Sequence, residues 1–360
     1  AYFDKDAVLT GVVGEQLPPE WIIRYAGSVL GVIGKEKIYD IQSKYMEQHP
    51  HHIPLIFMAD VIHGCRTIFP IPLGQACSFH PELVSEAASI AASEASSEGL
   101  KATFSPMIDV SRDPRWGRMM ESFGEDPYMN GIMGKAMVDG YQQKSDQGVA
   151  ACLKHFAGYG AVNAGREYND VEISQRTFLE QYVKPFCMAL KAKPAMVMTA
   201  FHAIDRKPIS GNKKLLREFL RDKEGFEGTV ISDWGSIGQL VEQGVAADLE
   251  EAAVQAAEAG VDIDIVEDGD TFAANALIKA KAVWEKTGGI VLADDSGLVI
   301  DALNGEPGVY SARYMGEKTS YEIKNWNLIH RLDGVPEKKR TARFVCVIAA
   351  VLPDGRTLTA

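Results

Sequence analysis

Val230-Ile231-Ser232-Asp233-Trp234 is a short apolar run that ends in a carboxylate followed by an indole. The run has the composition of a buried strand, and barrel enzymes place their chemistry at the carboxyl ends of parallel strands. The motif alone leaves two interpretations of Asp233 open. It is either a nucleophile candidate with Trp234 beside it as a flat apolar surface, or an Asp that caps the next helix.

Six further apolar runs precede or follow this one, and helix patterns lie between them. Because the runs are nearly continuous rather than alternating, they predict a parallel sheet that is covered on both faces. The fold class is therefore α/β, a (β/α)8 TIM-type barrel with one step unaccounted for. The strand candidates are Ser28–Ile33, Pro54–Asp60, Thr103–Val110, Val149–Lys154, Ala195–Ala200, Thr229–Asp233 and Val261–Val266, and the helix candidates are Pro81–Glu98, Gln175–Lys191, Lys213–Lys223 and Leu249–Ala259.

Polar side chains recur where these strands end. Asp60 ends the second strand candidate, Lys154 and His155 end the fourth, Met198 lies near the end of the fifth, and Asp233 ends the sixth. Any one of them is explained by a helix cap or a core ion pair. Together they favour a single pocket, because the carboxyl ends of barrel strands meet at one mouth.

Composition narrows the classes of partner. The net charge of −12 argues against nucleic acid and anionic membranes, and no apolar stretch is long enough to span a bilayer. Five scattered cysteines indicate neither a disulfide framework nor a zinc site. The composition indicates neither a compartment nor an oligomeric state, and a small-molecule substrate is the partner that remains.

Several long motifs, in the right order, carry a family resemblance. Residues from about Ser28 to Ile265 resemble the barrel domain of glycoside hydrolase family 3, in particular its bacterial β-glucosidase branch, and the first domain is placed at 1–266. The matching stretches are Asp60–Gly64, Arg66–Pro70, Ser111–Arg118, Glu121–Pro127, Lys154–Phe156 and Ile231–Trp234.

The resemblance implies a retaining, exo-acting β-glycosidase that hydrolyses terminal non-reducing β-D-glucosyl residues without a cofactor. Asp233 matches the nucleophile, and a carboxylate among cationic side chains has a lowered pKa and stays ionised. By the same resemblance, the residues that bind the sugar are Asp60 as acceptor, Arg66, Arg118, Lys154 and His155 as donors, Met198 and Phe201 as pocket lining, and Trp234 beside the nucleophile.

The resemblance also indicates an impaired enzyme. A retaining glycosidase needs a second carboxyl group about 5–5.5 Å from the first. In two-domain members of the family, a Glu of a following domain supplies it, and no such domain is recognisable here. One-domain members use an Asp-His dyad in the loop after the Lys-His pair, but the loop at 157–167 lacks that dyad.

The segment 267–360 resembles a different family, the non-canonical purine nucleoside triphosphate pyrophosphatases that act on inosine and xanthosine triphosphates. The matching stretches are Glu267–Phe272, Leu292–Leu298, Gly308–Tyr314 and Lys339–Phe344. The segment is expected to form a partial α/β module, because the family's opening Gly-Asn-x-x-Lys phosphate loop does not precede it.

Paired acidic residues in a Gly-bounded turn at 294–297 are either Mg²⁺ ligands or part of an Asx turn. The resemblance favours Mg²⁺, with Glu267 and Asp295 as metal ligands, Asp294 and Ser296 supporting them, and Lys279 contacting phosphates.

Three functions follow: a β-glucosidase-like hydrolase, which leads; a Mg²⁺-dependent inosine/xanthosine triphosphate pyrophosphatase; and an inert chimera that at most binds a monosaccharide. Ile290–Leu292 is hypothesised to pair with the barrel edge as a closing strand, which would make Asp294 or Asp295 a surrogate acid. The alternative is a separate lobe with strands at Val309–Tyr314 and Arg343–Ala350.

Overall fold

The computed structural model divides the chain into two compact units, Ala1–Ile263 and Asp264–Ala360. Within the described residues, none of the helices combines the length and the apolarity that a membrane span requires. The structure describes residues 2–3, 27–48, 54–143, 147–262, 271–287, 291–311, 314–315 and 321–360.

The first unit is built on a curled sheet of seven parallel strands among the described residues, and each strand of this sheet is hydrogen-bonded to the next one along the chain. Parallel strands that follow one another in chain order, with helices between them, have the winding of a TIM-type barrel, and the predicted fold class is confirmed. The strands are β1 (Tyr2–Phe3), β2 (Ser28–Leu30), β3 (Ile56–Ala59), β4 (Ala102–Thr103), β5 (Ala150–Phe156), β6 (Met196–Thr199) and β9 (Thr229–Ser232), and the hairpin β7 (Ala203–Ile204) and β8 (Lys207–Pro208) lies outside the sheet.

One strand prediction needs correction, a second lies mostly outside the described residues, and one strand was missed. Thr103–Val110 is too long, because β4 ends at Thr103, although the amide of Ile108 still donates to the carbonyl of Lys154 at 2.9 Å. Of Val261–Val266 only 261–262 are described, and they form no strand, but the Asp262 amide donates to the Val230 carbonyl at 2.9 Å. The strand at β1 was not predicted.

Helices alternate with the strands, and the four predicted ones are present with slightly shifted ends. The helix at 175–192 is continuous but contains a wider π-type segment, and 214–223 is entirely of that type. Four described helices of the first unit were not predicted, and they lie at Lys35–Gln48, Pro72–Ala76, Pro127–Tyr141 and Gln239–Glu242. The helices are α1 (Lys35–Gln48), α2 (Pro72–Ala76), α3 (Pro81–Ser97), α4 (Pro127–Tyr141), α5 (Gln175–Thr177, Phe178–Val183 and Lys184–Ala189, followed by the turn Leu190–Ala192), α6 (Lys214–Lys223), α7 (Gln239–Glu242) and α8 (Leu249–Ala259).

Two clusters of apolar side chains pack against the parallel sheet. The larger core fills the space between sheet and helices, where buried side chains such as Phe57, Val197 and Val230 pack. A smaller cluster of Phe104, Cys152 and Met198 packs with strand residues Leu30, Met58, Met196 and Ile231. Successive strand residues face opposite sides of the sheet, so the two clusters lie on its two faces.

The second unit is an antiparallel sheet with helices. β10 (Val291–Ile300) pairs with β11 (Ala342–Val351), which pairs with β12 (Thr357–Thr359), and the helices are α9 (Phe272–Thr287) and α10 (Tyr321–Arg331). Its small core joins Ala276 and Ala280 of α9 to Val291, Ala349 and Val351 of the sheet.

The secondary structure of this segment tests four of the predictions made for it from the sequence. Arg343–Ala350 is a strand as predicted, but the described residues of Val309–Tyr314 form none, because Gly308–Tyr310 is a single helical turn. The acidic pair at 294–295 lies inside β10 and not in a turn. The closing-strand hypothesis is wrong: Val291 and Leu292 pair with Val351 and Ala350 of the tail, and Ile290 lies outside the described residues.

Gly140 tests the close packing of α4 against α3. A Cβ atom at this position would overlap the carbonyl oxygen of Ser85 and lie 2.7 Å from Ala88 Cβ. Gly140→Ala is therefore expected to lower the free energy of unfolding of the first unit by about 1–3 kcal/mol, measured by urea denaturation. The control is Gly74→Ala in α2, where the nearest atom would be 3.4 Å away and little change is expected. Equal stability of the two variants would contradict this packing.

Candidate active site

Asp233 follows the last residue of β9 and is held from two sides. Its side chain is 13% exposed, the Trp234 amide donates to Oδ1 at 2.6 Å, and His155 Nε2 lies 3.1 Å from Oδ2. The helix-cap interpretation is wrong, because the next helix, α7, begins at Gln239 after Gly238 and has no side-chain cap.

Lys154 and His155, near the end of β5, connect Asp233 to the ends of two other strands. Lys154 Nζ lies 3.0 Å from Asp60 Oδ1, just after β3. His155 Nδ1 lies 2.8 Å from Asp109 Oδ2, in the segment after β4. The side chains of Lys154, His155 and Asp109 are almost completely buried, whereas that of Asp60 is 51% exposed. Asp60 is therefore the member of this group that is most open to a ligand.

Arg118 forms an ion pair with Glu121, and the charges of Asp233 and Asp109 also act on its guanidinium group. Its Nε and Nη2 atoms donate to the two carboxylate oxygens of Glu121 at 2.9 and 3.1 Å. Burial opposes the charged guanidinium, but the carboxylates of Glu121 and Asp233 outweigh it, so the pKa of Arg118 lies above its usual range. The guanidinium also lies 5.9 Å from the ring centroid of Tyr159.

Competing effects set the ionisation of Asp233. Burial alone would raise the pKa of its carboxyl group. The neighbouring imidazole of His155, the Trp234 amide and the charge of Lys154 act in the opposite direction and prevail, so the pKa of Asp233 lies below its usual value. The carboxylate is thus ionised at neutral pH, as a nucleophile must be.

Aromatic rings line one side of this charge cluster. The Phe201 ring lies 6.3 Å from that of His155 and 4.9 Å, edge to face, from that of Tyr168. Trp234 is half-buried next to Asp233 in the chain. Met198 is buried in the cluster with Phe104 and Cys152.

Arg66, which is also predicted to bind the sugar, contacts two acidic residues at the end of α3. It forms an ion pair with Glu98 at the end of α3, its backbone amide donates to Glu94, and its side chain is 70% exposed. Its role in binding the sugar stays a prediction.

Sequence reasoning missed the acidic partners of the predicted cations. Asp109 is a lone carboxylate in the apolar run 107–110, and that break in the pattern is the signal that could have identified it. Glu121 stands three residues after Arg118, a spacing that brings side chains together in a helical turn. Glu167, which accepts from Trp116 Nε1 and the Tyr159 hydroxyl, has no comparable signal.

In the second unit, Asp295 is buried and its Oδ1 lies 3.0 Å from Lys279 Nζ, while Asn275 Nδ2 lies 3.3 Å from Oδ2. The Ser296 hydroxyl donates to Asp294 Oδ2 at 3.0 Å. Glu267 lies outside the described residues. No group of three or more His, Cys, Asp or Glu side chains suited to a metal occurs in the described ranges. The described donors do not complete a Mg²⁺ site, and Mg²⁺ binding stays a prediction.

The contact between His155 and Asp233 predicts a measurable effect. In His155→Gln the positive neighbour is removed while burial remains, so the pKa of Asp233 is expected to rise. The measurement is a ¹³C NMR titration of aspartate-labelled protein, with Asp233→Asn for assignment. Asp113 serves as control, since Arg115 holds its pKa at about 2 and that contact is unchanged in the variant. An unmoved Asp233 titration would contradict the role given to His155.

Comparison with known proteins covers both parts of the chain. The sequence model described as "Glycosyl hydrolase family 3 N terminal domain" matches residues 20–287. A periplasmic β-glucosidase of Salmonella typhimurium is 41% identical over 260 residues, which is 71% of this chain and 34% of that protein. The crystal structure of a Listeria innocua β-glucosidase in complex with isofagomine matches with a TM-score of 0.68 and 46% identity, over 71% of this chain and 36% of that one.

The second resemblance is also confirmed. A dITP/XTP pyrophosphatase of Thermoanaerobacter sp. is 53% identical over 102 residues, which is 28% of this chain and 52% of that protein. The chain thus spans about a third of the length of the β-glucosidases and about half of that pyrophosphatase. With a family match over most of its length and a parallel sheet that carries its charged cluster at the strand ends, the chain belongs to glycoside hydrolase family 3.

Proposed function

We propose that this chain is a β-glucosidase-like retaining hydrolase that acts on terminal non-reducing β-D-glucosyl residues, with Asp233 as the nucleophile. The observation that carries the proposal is the connected cluster of Asp60, Lys154, His155 and Asp233 at three strand ends. A hexose ring presents several hydroxyl groups and one apolar face. A site for it needs charged donors and acceptors beside an aromatic surface, as Phe201 and Tyr168 provide here.

In the first step, an oxygen of ionised Asp233 bonds to the anomeric carbon while the bond from that carbon to the leaving oxygen breaks. The electron pair departs with the leaving group, which a second carboxyl group normally protonates. The carboxylates joined to the cluster, Asp60, Asp109 and Glu121, each contact a cationic partner or a histidine ring. Arg118 holds the pKa of Glu121 below its usual value against the effect of burial, which makes Glu121 a poor proton donor. The proposal therefore includes slow turnover of glucosides with poor leaving groups.

Neither Asp294 nor Asp295 is assigned as a replacement for the general acid. That role required β10 to pair with the barrel sheet, and β10 pairs with β11 instead.

Leaving-group dependence tests the proposal. We expect 2,4-dinitrophenyl β-glucoside to be cleaved and cellobiose to be cleaved barely, because general acid assistance is worth about 10²–10⁴-fold and the dinitrophenolate does not need it. Asp233→Asn is expected to reduce the aryl-glucoside rate to background, while Asp113→Asn keeps it. Rapid cellobiose hydrolysis would show that a positioned acid exists, and full activity of Asp233→Asn would remove the nucleophile assignment.

The high identity to dITP/XTP pyrophosphatases supports a second candidate, a Mg²⁺-dependent inosine/xanthosine triphosphate pyrophosphatase. Two observations argue against this second candidate. The ammonium group of Lys279 lies 3.0 Å from a carboxylate oxygen of Asp295, which is the predicted metal ligand. The Gly-Asn-x-x-Lys phosphate-loop motif of that family does not precede the segment. The third possibility is an inert chimera that at most binds a monosaccharide.

We expect no release of pyrophosphate from inosine triphosphate in the presence of Mg²⁺, measured by a coupled pyrophosphate assay. Mg²⁺-dependent release that Asp295→Asn abolishes would establish the second candidate. An inert protein would show neither this activity nor cleavage of the dinitrophenyl glucoside.

A further inference from the structure

Tyr168 is a bulky residue in a backbone conformation that favours glycine or asparagine. Its φ angle is +64°, and it occupies the second central position of a turn in which the Asn169 amide donates to the Arg166 carbonyl at 3.3 Å. Gly or Asn normally provides a positive φ at that position, because most other side chains are strained there. A strained aromatic residue in a loop indicates a role for its side chain, since the turn itself would form more easily without it.

The Tyr168 ring is accessible beside the candidate site. It lies edge to face with Phe201 at 4.9 Å between ring centroids, and the Phe201 ring lies 6.3 Å from that of His155. His155 Nε2 is in turn 3.1 Å from Asp233. Phe201 is 6% exposed, whereas Tyr168 is 37% exposed. Tyr168 is thus the member of this aromatic pair that a ligand can reach.

The hydroxyl group of Tyr168 is uncharged at neutral pH. Burial raises its pKa, and the carboxylates of Glu167 and Asp233 act in the same direction. A neutral ring offers an apolar face to a ligand without adding a further charge to the cluster around Asp233.

The loop that carries Tyr168 is fastened to the segment after β4. Glu167, the residue before Tyr168, accepts hydrogen bonds from the indole of Trp116 and the hydroxyl of Tyr159, and both of those rings are buried. A Cβ atom at Gly165 would lie 2.6 Å from the Trp116 amide nitrogen, so the two backbones are in close contact. A ring on so constrained a loop is held in place before a ligand binds, which lowers the entropic cost of the contact.

The position of the loop indicates which part of a glycoside the ring contacts. Asp60, Lys154 and Asp233 lie at strand ends, and their charges suit the sugar hydroxyls and the anomeric carbon. When Asp233 attacks, the leaving group departs from the opposite side of the anomeric carbon, away from the strand end that carries Asp233. Loops that follow the strands lie on that side, and Tyr168 belongs to the loop after β5.

We propose that Tyr168 is a specificity-determining residue that extends the aromatic surface of the site beyond the sugar to the leaving group, with a preference for aromatic leaving groups, and that Glu167 positions it. The inference rests on the proposed function, because it takes the site to be that of a β-glucoside. An aromatic leaving group packs its ring against Tyr168, whereas a methyl group is too small to make that contact.

The test is the binding of phenyl 1-thio-β-glucoside and methyl 1-thio-β-glucoside to the full chain, measured by isothermal titration calorimetry. Thioglucosides resist hydrolysis and therefore report binding without turnover. Tyr168→Asn removes the ring but suits the left-handed backbone, so the variant is expected to keep the Tm of the wild type. Its Kd for the phenyl compound is expected to rise by about 3- to 10-fold, with a change of less than about twofold for the methyl compound. Tyr168→Phe keeps the ring and should bind both compounds as the wild type does.

Phe79→Asn is the matched control, because Phe79 is also an aromatic residue with a left-handed backbone, at φ +55°, and lies between α2 and α3. It should change neither Kd. Glu167 is tested by a double-mutant cycle, in which Glu167→Ala weakens phenyl binding alone but adds no further loss to Tyr168→Asn. Glu167→Gln, whose amide can still contact the indole and the hydroxyl, should retain wild-type binding.

Equal weakening of both compounds in Tyr168→Asn, or weakening of neither, would overturn the assignment of Tyr168 to the leaving group. Additive losses in the cycle would overturn the positioning role of Glu167. A wild-type protein that binds both thioglucosides but hydrolyses no glucoside would refute the proposed hydrolase, and the comparison of the variants would still decide the role of Tyr168. A wild-type protein that binds neither compound would refute both proposals.

Discussion

The contacts that Lys154 and His155, near the end of β5, make with three carboxylates are the interactions on which the candidate site depends. Adjacent residues of one strand contact the carboxylates of Asp60, Asp109 and Asp233, which follow three other strands. Each partner is carried by a different loop, so these contacts fix the loops relative to one another. Lys154, His155 and Asp109 are almost completely buried, so the loss of a partner would leave a buried polar or charged group without compensation.

The balance of charges explains why Asp233 is suited to attack rather than to proton donation. Burial favours a neutral carboxyl group, but His155, Lys154 and the Trp234 amide reverse that preference. The same logic applies to Glu121, where burial is outweighed by the hydrogen bonds and charge of Arg118, and the pKa lies below its usual value. A site whose carboxyl groups are held ionised is organised for nucleophilic attack and for binding hydroxyl groups, and it needs an activated leaving group or another source of a proton.

The two units have separate cores and resemble unrelated families. The first has a large core between a parallel sheet and its helices, whereas the second packs α9 against an antiparallel sheet through a few small residues. Within the second unit, Lys279 and Asp295 form a partly buried ion pair. That ion pair stabilises the contact between α9 and β10 whether or not the segment binds a nucleotide.

The sequence by itself determined the alternation of parallel strands and helices and the strand ends that carry Asp60, Lys154, His155 and Asp233. Apolar runs and the residues that end them are local features, and strands of a barrel place their carboxyl ends together. Only the tertiary structure decided the partners: Asp109 for His155, Glu121 for Arg118, and Glu98 for Arg66. It also decided that 294–295 lies within a strand. Side-chain pairing and strand pairing depend on which distant segments meet, and no local pattern of residues specifies that meeting.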